Sequence, residues 1–326
     1  MPGPLRVGTR ASRLALVQTE SVAARLKAAW PGLEVRIEPI RTAGDQGEKD
    51  TRCHFPEGRE GCCAETTPGA FFGPAAGVGW FVRELEQALL AGRVDLAVHS
   101  MKDVPTRLPD GLEVEAAVPE RAEVRDCLAT PAGLRLEALP AAARVGTGSP
   151  RRRAMLRAAR PDLVMVDLRG NVETRLAKLA AGQCEAAVLA LAGLARLGLA
   201  GRHTAIVLDA SVLLPAAGQG ALGLEFRAAD ERVRRLLGPL DHPPARAAVT
   251  AERALVRRLG AGCHTPLGAW GRADPAGRLV LEAWLLAPEG SPSVRRRAEG
   301  SAADAAALGA GLAEEVLAAG GAALLR

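Results

Sequence analysis

Apolar and polar residues alternate along the chain with two periods, one typical of strands and one typical of helices. The stretch RVGT at residues 6–9 predicts a strand, and a run with helical spacing follows it over residues 12–29. RVGT occurs again at residues 144–147, and a second helical run follows it over residues 149–160. The chain therefore repeats a strand followed by a helix.

The repeat extends beyond these two elements. A proline and then a strand-like alternation follow each helix, at residues 31–40 and 161–170. Later, residues 89–100 and 179–190 both end a helix at a glycine, pass an acidic residue and enter an apolar strand. We expect two similar α/β lobes, each a parallel-type sheet covered by helices, with ligands bound at the carboxyl ends of the strands.

The pattern changes after about residue 240. A helix over residues 245–259, a hairpin turn at 273–277, a strand near 294–300 and a helix from about 302 to 318 predict a smaller α+β domain. Before it lies a glycine-rich turn that leads into a strand, LLPAAGQGALGLEF at residues 213–226. We hypothesise that this segment returns the chain to the first lobe.

The composition limits the classes of partner. Of 326 residues, 42 are Lys or Arg and 37 are Asp or Glu, and the net charge of +5 favours anionic partners. Aromatic residues make up 3% and tyrosine is absent, so the stacking platforms of nucleic-acid binders are scarce. The N-terminus has no secretory signal pattern, and the longest uncharged apolar stretch, residues 186–195, is about half a membrane span. We expect a cytoplasmic protein that binds neither nucleic acid nor membranes.

Arginines cluster after the predicted strands. Ser149 is a predicted N-cap, which places Arg151 and Arg152 in the first helical turn, where the helix dipole disfavours a cation by roughly 0.3–1 kcal/mol. This placement predicts an anion at the helix end, and a solvated basic face has the same pattern. Arg169 and Arg175 follow the next strand, and their guanidinium groups suit either a substrate with several carboxylates or salt bridges between the lobes.

Lys102 and Asp103 follow a predicted buried strand at the mouth of the expected cleft. A carboxylate among cations serves either as a countercharge or as a catalytic group. In the second role it transfers protons or stabilises a developing cation. The residues alone leave both roles open.

The six cysteines are expected to be reduced thiols. The stretch CHFPEGREGCC at residues 53–63 lacks the C-x-x-C spacing of a zinc site, so we expect no metal. Cys263, in LGAGCHTPLG at residues 259–268, stands on a bent and uncrowded backbone between small residues. Four roles are open for it: a buried spectator, a nucleophile paired with His264, a metal ligand or a point of covalent attachment.

Several long blocks in collinear order resemble a known family. They are RVGTRASRLALVQ, FVRELEQALLAGRVDLAVHSMKDVPTRLPDGL, VGTGSPRRR, LRGNVETRLAKL, LPAAGQGALGLE and TAERALVRRLGAGCHTPLG. Over nearly the whole chain they are similar to porphobilinogen deaminase, also called hydroxymethylbilane synthase. The resemblance implies a monomer with two lobes of the periplasmic-binding-protein type and a smaller C-terminal α+β domain. Together with the repeat it predicts a first lobe at residues 1–118 (completed by about 216–238), a second at 119–215, and a C-terminal domain at 239–326.

The resemblance also implies an activity and a set of site residues. The family joins four porphobilinogen molecules head to tail into hydroxymethylbilane, with release of ammonia, in tetrapyrrole and haem biosynthesis. The growing chain is attached to a dipyrromethane cofactor, which the resemblance places on Cys263 as a thioether, and Asp103 is the implied catalytic carboxylate. The implied cofactor- and substrate-binding residues are Arg10, Ser12, Lys102, Thr147, Ser149, Arg151, Arg152, Arg169, Arg175 and Gln219.

One region departs from the family pattern. Residues 46–79 are longer and richer in cysteine and proline than the family's lid segment, and Val78 stands where the family has a lysine. Besides the active enzyme, two other functions stay open. One is a family member with an impaired lid. The other is a two-lobed cytoplasmic anion-binding protein, which has no need of a third domain with an isolated cysteine.

Overall fold

The computed structural model describes residues 3–42, 82–200 and 205–325, and their strands form three separate sheets. In chain order the strands are β1 (Leu5–Arg10), β2 (Val35–Ile40), β3 (Leu96–Ser100), β4 (Leu112–Glu113), β5 (Asp126–Ala129), β6 (Arg144–Gly146), β7 (Val164–Val166), β8 (Ala186–Ala190), β9 (Ala205–Val207), β10 (Leu222–Arg227), β11 (Leu267–Ala273), β12 (Arg278–Leu286) and β13 (Ser293–Ser301). The helices are α1 (Arg13–Ala29), α2 (Arg83–Leu90), α3 (Pro150–Ala159), α4 (Val172–Ala180), α5 (Leu191–Arg196), α6 (Glu231–Leu237), α7 (Pro243–Leu259), α8 (Ala305–Val316) and α9 (Ala322–Leu324).

The first two sheets have the same topology. The strand order is β2-β1-β3-β10-β4 in the first and β7-β6-β8-β5-β9 in the second. In each sheet the first three strands are parallel, and the fourth is antiparallel to the third. The predicted fold class, two similar α/β lobes plus a smaller α+β unit, is confirmed. The sequence predicted a strand in the segment that contains β10, but not its antiparallel pairing and not the strands β4, β5 and β9.

Serine caps start the first helix of each lobe. Ser12 follows β1 and its Oγ accepts a hydrogen bond from Ala15 N at 3.4 Å, while Ser149 follows β6 and accepts one from Arg152 N at 3.4 Å. Each cap satisfies a backbone N–H that would otherwise lack a partner. Because β1 and β6 are parallel to their neighbours, both turns lie at carboxyl ends of strands, where ligands bind in such sheets.

Two segments cross between the lobes and run side by side. The first crossing lies between β4 and β5, and the second lies between β9 and β10. The first crossing leads to β5 and the second leads back to β10, which pairs with β3 of the first sheet, in agreement with the hypothesis for residues 213–226. Ala122 N donates a hydrogen bond to Gly220 O at 3.2 Å. Gly220 has φ +85°, and a Cβ there would lie 2.6 Å from Ala122 O, so the close approach requires glycine.

The third sheet, β11-β12-β13, is antiparallel, and its buried side chains share a core with α7 and α8. A Cβ on Gly309 would lie 2.2 Å from Ala251 O, so glycine allows α8 to lie against α7. Among the described residues, the helical run Ala302–Leu324 is long and apolar enough to cross a membrane by length and composition, which the sequence analysis did not single out. Its inner side forms part of this core.

The third unit also contacts both lobes. Ala245 and Val249 of α7 pack in one cluster with Val104 and Val118 of the first lobe. A Cβ on Gly268 of β11 would lie 2.8 Å from Leu214 O, so the sheet approaches the second lobe closely. The loop after α7 is therefore fixed relative to both lobes.

Candidate active site

The carboxyl ends of β1 and β3 bring three of the predicted site residues together. Arg10 ends β1, Ser12 caps α1, and Asp103 lies in the 3-10 turn Met101–Asp103 that follows β3. The three residues line one small cavity, and their neighbours in its wall include Gln18, His99 and Ser100. Asp103 is exposed, so a ligand in the cleft can reach its carboxylate.

Lys102 lies next to Asp103 and points toward the second crossing segment. Its Nζ donates a hydrogen bond to Gln219 Oε1 at 3.4 Å. Burial, and then the nearby guanidinium group of Arg152, lower the pKa of Lys102 from 10.5 to about 8, although Asp103 opposes this. An added carboxylate would therefore stabilise the charged form of Lys102.

Arg151 and Arg152 begin α3, and their side chains turn inward to Asp126, the first residue of β5. The Nη2 atoms of the two arginines donate to different oxygens of Asp126, both at 2.7 Å. All three side chains are buried. Burial alone would raise the pKa of Asp126, but the two guanidinium groups outweigh it and hold that pKa well below its usual 3.8. The protein itself thus supplies an anion beside these arginines.

The side chain of Gln219 forms hydrogen bonds with both Lys102 and Asp126. Its Nε2 donates to Asp126 Oδ1 at 3.0 Å and to Val124 O at 2.6 Å. Its Oε1 accepts the hydrogen bond from Lys102. A single buried amide on the return crossing therefore connects a cation of the first lobe to a carboxylate of the second.

The remaining second-lobe candidates surround the turns after β6 and β7. Thr147 is buried, and its Oγ1 accepts a hydrogen bond from Ser149 N at 3.2 Å. Arg169 is exposed, and its Nε donates to Asp167 Oδ2 at 2.7 Å. Arg175, on α4, donates from Nε to Gly170 O at 2.7 Å.

The charge on Arg175 is affected by groups from both lobes. Burial, and then Arg152, lower its pKa, while Asp103 and Asp167 oppose this effect. Arg175, on the second lobe, is therefore within electrostatic range of Asp103 on the first. The structure therefore brings Asp103, Lys102, Arg152 and Arg175 into one cluster.

Cys263 lies in the open loop that follows α7. The helix ends at Gly260, which has φ +63°, and a Cβ on Gly260 or Gly262 would meet no atom within 4 Å. Among the described cysteines, Cys127 and Cys184 are buried and Cys263 is exposed. The thiol is partly desolvated although the residue is exposed. This partial burial, and then the Asp103 carboxylate, raise its pKa.

These observations separate the four roles considered for Cys263. Exposure excludes a buried spectator, and a raised pKa disfavours the thiolate that a nucleophile requires. Within residues 3–42, 82–200 and 205–325, no group of three or more His, Cys, Asp or Glu side chains is placed to hold a metal ion. Covalent attachment at Cys263 stays a prediction; the thiol lies in an open loop, and the Asp103 carboxylate acts on its pKa. The possible metal segment at 53–63 and the lid departure at 46–79 lie outside the described residues.

Two buried acids at the site were missed by the sequence analysis. Asp126 is one, and Glu252 of α7 is the other. Arg121, on the first crossing, donates to the two oxygens of Glu252 at 2.7 and 3.0 Å. Glu252 also accepts hydrogen bonds from Gly218 N at 2.6 Å and Gly271 N at 2.7 Å. Their only sequence signal is an acidic residue within an apolar element, which by itself does not identify a partner.

Comparisons with known proteins cover nearly the whole chain. The model of the porphobilinogen deaminase dipyromethane cofactor binding domain matches residues 5–235, and that of the porphobilinogen deaminase C-terminal domain matches residues 246–318. The porphobilinogen deaminase of Roseiflexus castenholzii is 49% identical over 100% of this chain and 99% of that protein. The one from Thermus thermophilus is 46% identical over 97% of this chain and 96% of that protein.

The solved structures to which the chain is similar have low TM-scores and low identity. The Bordetella pertussis BvgS VFT2 domain has a TM-score of 0.40 and 17% identity, over 72% of this chain and 85% of that one. An ancestral cationic amino acid solute binding protein has a TM-score of 0.40 and 16% identity, over 72% and 86%. Neither says anything about function. The two domain models and the full-length relatives show that the chain belongs to the porphobilinogen deaminase family of transferases.

Proposed function

We propose that Cys263 holds the dipyrromethane cofactor of this family, and that Asp103 and the surrounding cations act on the growing chain. The enzyme condenses four porphobilinogen molecules head to tail into hydroxymethylbilane, with release of ammonia. The observation that most directly supports the residue assignment is the exposed thiol of Cys263 beside Asp103, at a cleft with cations from both lobes.

The charges near Cys263 suit a cofactor with several carboxylates. Lys102, Arg151, Arg152 and Arg175 are four cations, and they face two carboxylates, Asp103 and Asp126. Burial and mutual repulsion lower the pKa values of Lys102, Arg151 and Arg175. Carboxylates of the cofactor, and of each added pyrrole, would relieve this repulsion. The proposed binding residues are Arg10, Ser12, Lys102, Thr147, Ser149, Arg151, Arg152, Arg169, Arg175 and Gln219.

The residues divide the chemistry between them. When bound, the dipyrromethane supplies the electron-rich pyrrole carbon to which porphobilinogen is joined. Asp103 stabilises positive charge on pyrrole nitrogens as ammonia leaves, and a neutral side chain there could not do so. Arg169 and Arg175 bind acetate and propionate groups, while Asp126 holds Arg151 and Arg152 in place from behind. Lys102 and Gln219 bind at the junction of the two lobes.

We also infer the domain boundaries and the setting of the enzyme. The first lobe spans residues 1–118 and about 216–238, the second spans 119–215, and the C-terminal domain spans 239–326. Membership of β10 in the first sheet supports this division. The scarcity of aromatic residues supports an enzyme that does not bind nucleic acid. Membership of the family supports a cytoplasmic monomer that binds porphobilinogen and not membranes.

Two substitutions test the assignment in freshly purified, cofactor-supplied enzyme. We expect Cys263→Ala to lack both the added mass of the cofactor and the colour of an Ehrlich-type test. We expect Asp103→Ala to keep both and to lose most turnover of porphobilinogen. Intact-protein mass spectrometry and porphobilinogen consumption measure the two properties separately.

The matched control is His264→Ala, next to Cys263. Attachment does not require this imidazole, so the variant should keep the cofactor and most activity. If Cys263 were instead a nucleophile that His264 activates, the variant would lose most activity. An unmodified Cys263 in the wild type contradicts the attachment, and full activity of Asp103→Ala contradicts the catalytic role. Wild-type protein that has the cofactor but consumes no porphobilinogen supports the impaired-lid alternative.

A further inference from the structure

Asp167 is a carboxylate among the proposed binding residues of the second lobe. It follows β7, and the turn formed by Thr147, Gly148 and Ser149 follows the neighbouring strand β6. Asp167 Oδ2 accepts a hydrogen bond from Arg169 Nε at 2.7 Å. Its Oδ1 lies 4.0 Å from Arg153 Nη2. The carboxylate therefore lies between two arginines at the carboxyl end of the sheet.

The adjacent turn leaves space for this pair. A Cβ on Gly148 would lie 3.3 Å from Asp167 Oδ1 and 3.7 Å from Arg169 Cγ. The backbone of the turn is fixed to β7 because Thr147 N donates to Val166 O at 3.0 Å. Asp167 and Arg169 thus lie directly against the turn that contains Thr147 and Ser149, two of the proposed binding residues.

The same pair is within electrostatic range of the reaction centre. Asp167 and Asp103 both raise the pKa of Arg175, in opposition to its burial and to Arg152, and Arg169 lowers it. Arg175 is therefore within electrostatic range of Asp167 and Arg169 as well as of Asp103. A substrate carboxylate that approaches Arg169 enters the field of Asp167.

Exposure makes the ion pair easy to exchange. The side chain of Arg169 is 79% exposed and that of Asp167 is 51% exposed. Asp167 contacts the Nε edge of the guanidinium group, and exposed pairs of this kind contribute little to stability. A carboxylate from solution can replace Asp167 without leaving a buried charge.

We propose that Asp167 competes with the acid side chains of the substrate and the growing chain for Arg169, and that it thereby sets substrate affinity. This inference rests on the proposed role of Arg169 in binding. Each elongation step adds carboxylates to the cleft, and the finished product must release all of them. Asp167 returns to Arg169 when an acid group leaves, so it weakens binding and eases release.

The test uses cofactor-loaded enzyme and porphobilinogen. We expect Asp167→Asn and Asp167→Ser to lower KM by about two- to fivefold, the range for loss of an exposed ion pair. The matched control is Asp162→Asn. Asp162 pairs with Arg160 at 2.7 Å with the same two-residue spacing, but it precedes β7 and lies at the other end of that strand. KM should not change in the control. An unchanged or raised KM in both Asp167 variants overturns the proposal.

A double variant separates competition from a general charge effect. In the Arg169→Ala background, Asp167→Asn should lower KM much less than in the wild type, and an undiminished decrease overturns the proposal. Arg169→Ala alone should raise KM. If it does so while the Asp167 variants have no effect, Asp167 is not a competitor and the binding role of Arg169 stands. If Arg169→Ala leaves KM unchanged, the binding role and the inference that rests on it both fail.

Discussion

Asp126 is the residue on which the charge balance of the cleft depends. It is the countercharge of two buried guanidinium groups and also accepts a hydrogen bond from Gln219. Removing one member of a buried ionic group leaves charges without a partner, at a cost of about 3–5 kcal/mol. We expect Asp126→Asn to lower the free energy of unfolding by about this amount in urea denaturation. The exposed pair in Asp162→Asn should change it by about 0–1 kcal/mol.

The pH dependence of this effect has a definite sign. The pKa of Asp126 is lowered in the folded protein, so its stabilisation is fully present above the ordinary value of 3.8 and is lost as the pH falls below it. The difference in stability between wild type and Asp126→Asn should therefore narrow in acid. A difference that stays constant from about pH 6 to pH 2 would show that the carboxylate charge is not responsible.

Lys102 is the cation in the cleft that loses its proton most easily, with a pKa of about 8 in place of 10.5. Carboxylates of the bound cofactor oppose this lowering of the pKa, so we expect kcat/KM for porphobilinogen to fall at a pH above 8, where Lys102 loses its charge. Stability changes in the opposite direction, because the unfolded chain binds the proton more tightly between pH 8 and 10.5 and stability rises with pH in that window. In Lys102→Arg the decline in kcat/KM should move to higher pH. A decline at the same pH in both proteins would assign it to another group.

At the scale of elements, one carboxylate joins four segments of the chain. Glu252 of α7 binds Arg121 on the first crossing, Gly218 on the second and Gly271 in β11. Arg121 in turn donates from Nε to Gln219 O at 2.8 Å, which holds the residue between Lys102 and Asp126. The position of Gln219 therefore depends on a helix of the third unit.

Loss of the Glu252 charge should affect both stability and the site. The side chains of Arg121 and Glu252 are 8% and 0% exposed, so we expect Glu252→Gln to lower the free energy of unfolding by about 3–5 kcal/mol. KM for porphobilinogen should rise in the fraction that remains folded. Glu314→Gln, which breaks an exposed pair with Arg258 on the same unit, is the control and should leave both nearly unchanged. Equal effects of the two substitutions would argue against a special role for the junction.

Local signals account for the elements that the sequence predicted. Ser12 and Ser149 each accept a hydrogen bond from the backbone N–H three residues later, which is a local signal. The predicted starts of α1 and α3 therefore lie within one residue of the observed ones. The strands β5 and β10 join their sheets antiparallel to strands far away in sequence, and β4 has only two residues. A strand as short as β4 leaves no period in the sequence to detect, and local alternation, which predicted a strand in the segment of β10, does not say which distant strand it pairs with.

The site residues also differ in whether local sequence could predict them. Asp103 and Cys263 stand in sequence blocks that resemble the family, and their setting by strand ends and glycines is local. Asp126 and Glu252 become recognisable only through arginines that are 25, 26 and 131 residues away. The role of a buried carboxylate depends on the cation that pairs with it, and the fold is needed to identify that cation.

At the scale of the whole molecule, the third unit carries Cys263, the proposed attachment residue, and contacts both lobes. Its helix α7 packs on the first lobe and its sheet approaches the second, while Cys263 lies in the loop between α7 and β11. Asp103 of the first lobe is near the thiol, and Arg175 of the second is near Asp103. The tethered cofactor is thus placed so that it can reach groups of both lobes.

The hydrogen bond between Ala122 and Gly220 makes the second lobe an insertion whose entry and exit points are neighbours. A lobe of this kind can be exchanged as a cassette. Another α/β unit with adjacent ends could be spliced between these two positions if it kept the surface that packs on the third unit and the carboxylate that binds Gln219. Chimaeras between relatives with different second lobes would then vary the arginine array while Cys263 and Asp103, the proposed attachment and catalytic residues, stay in place, which offers a direct route to changing the pattern of acid side chains that the enzyme accepts.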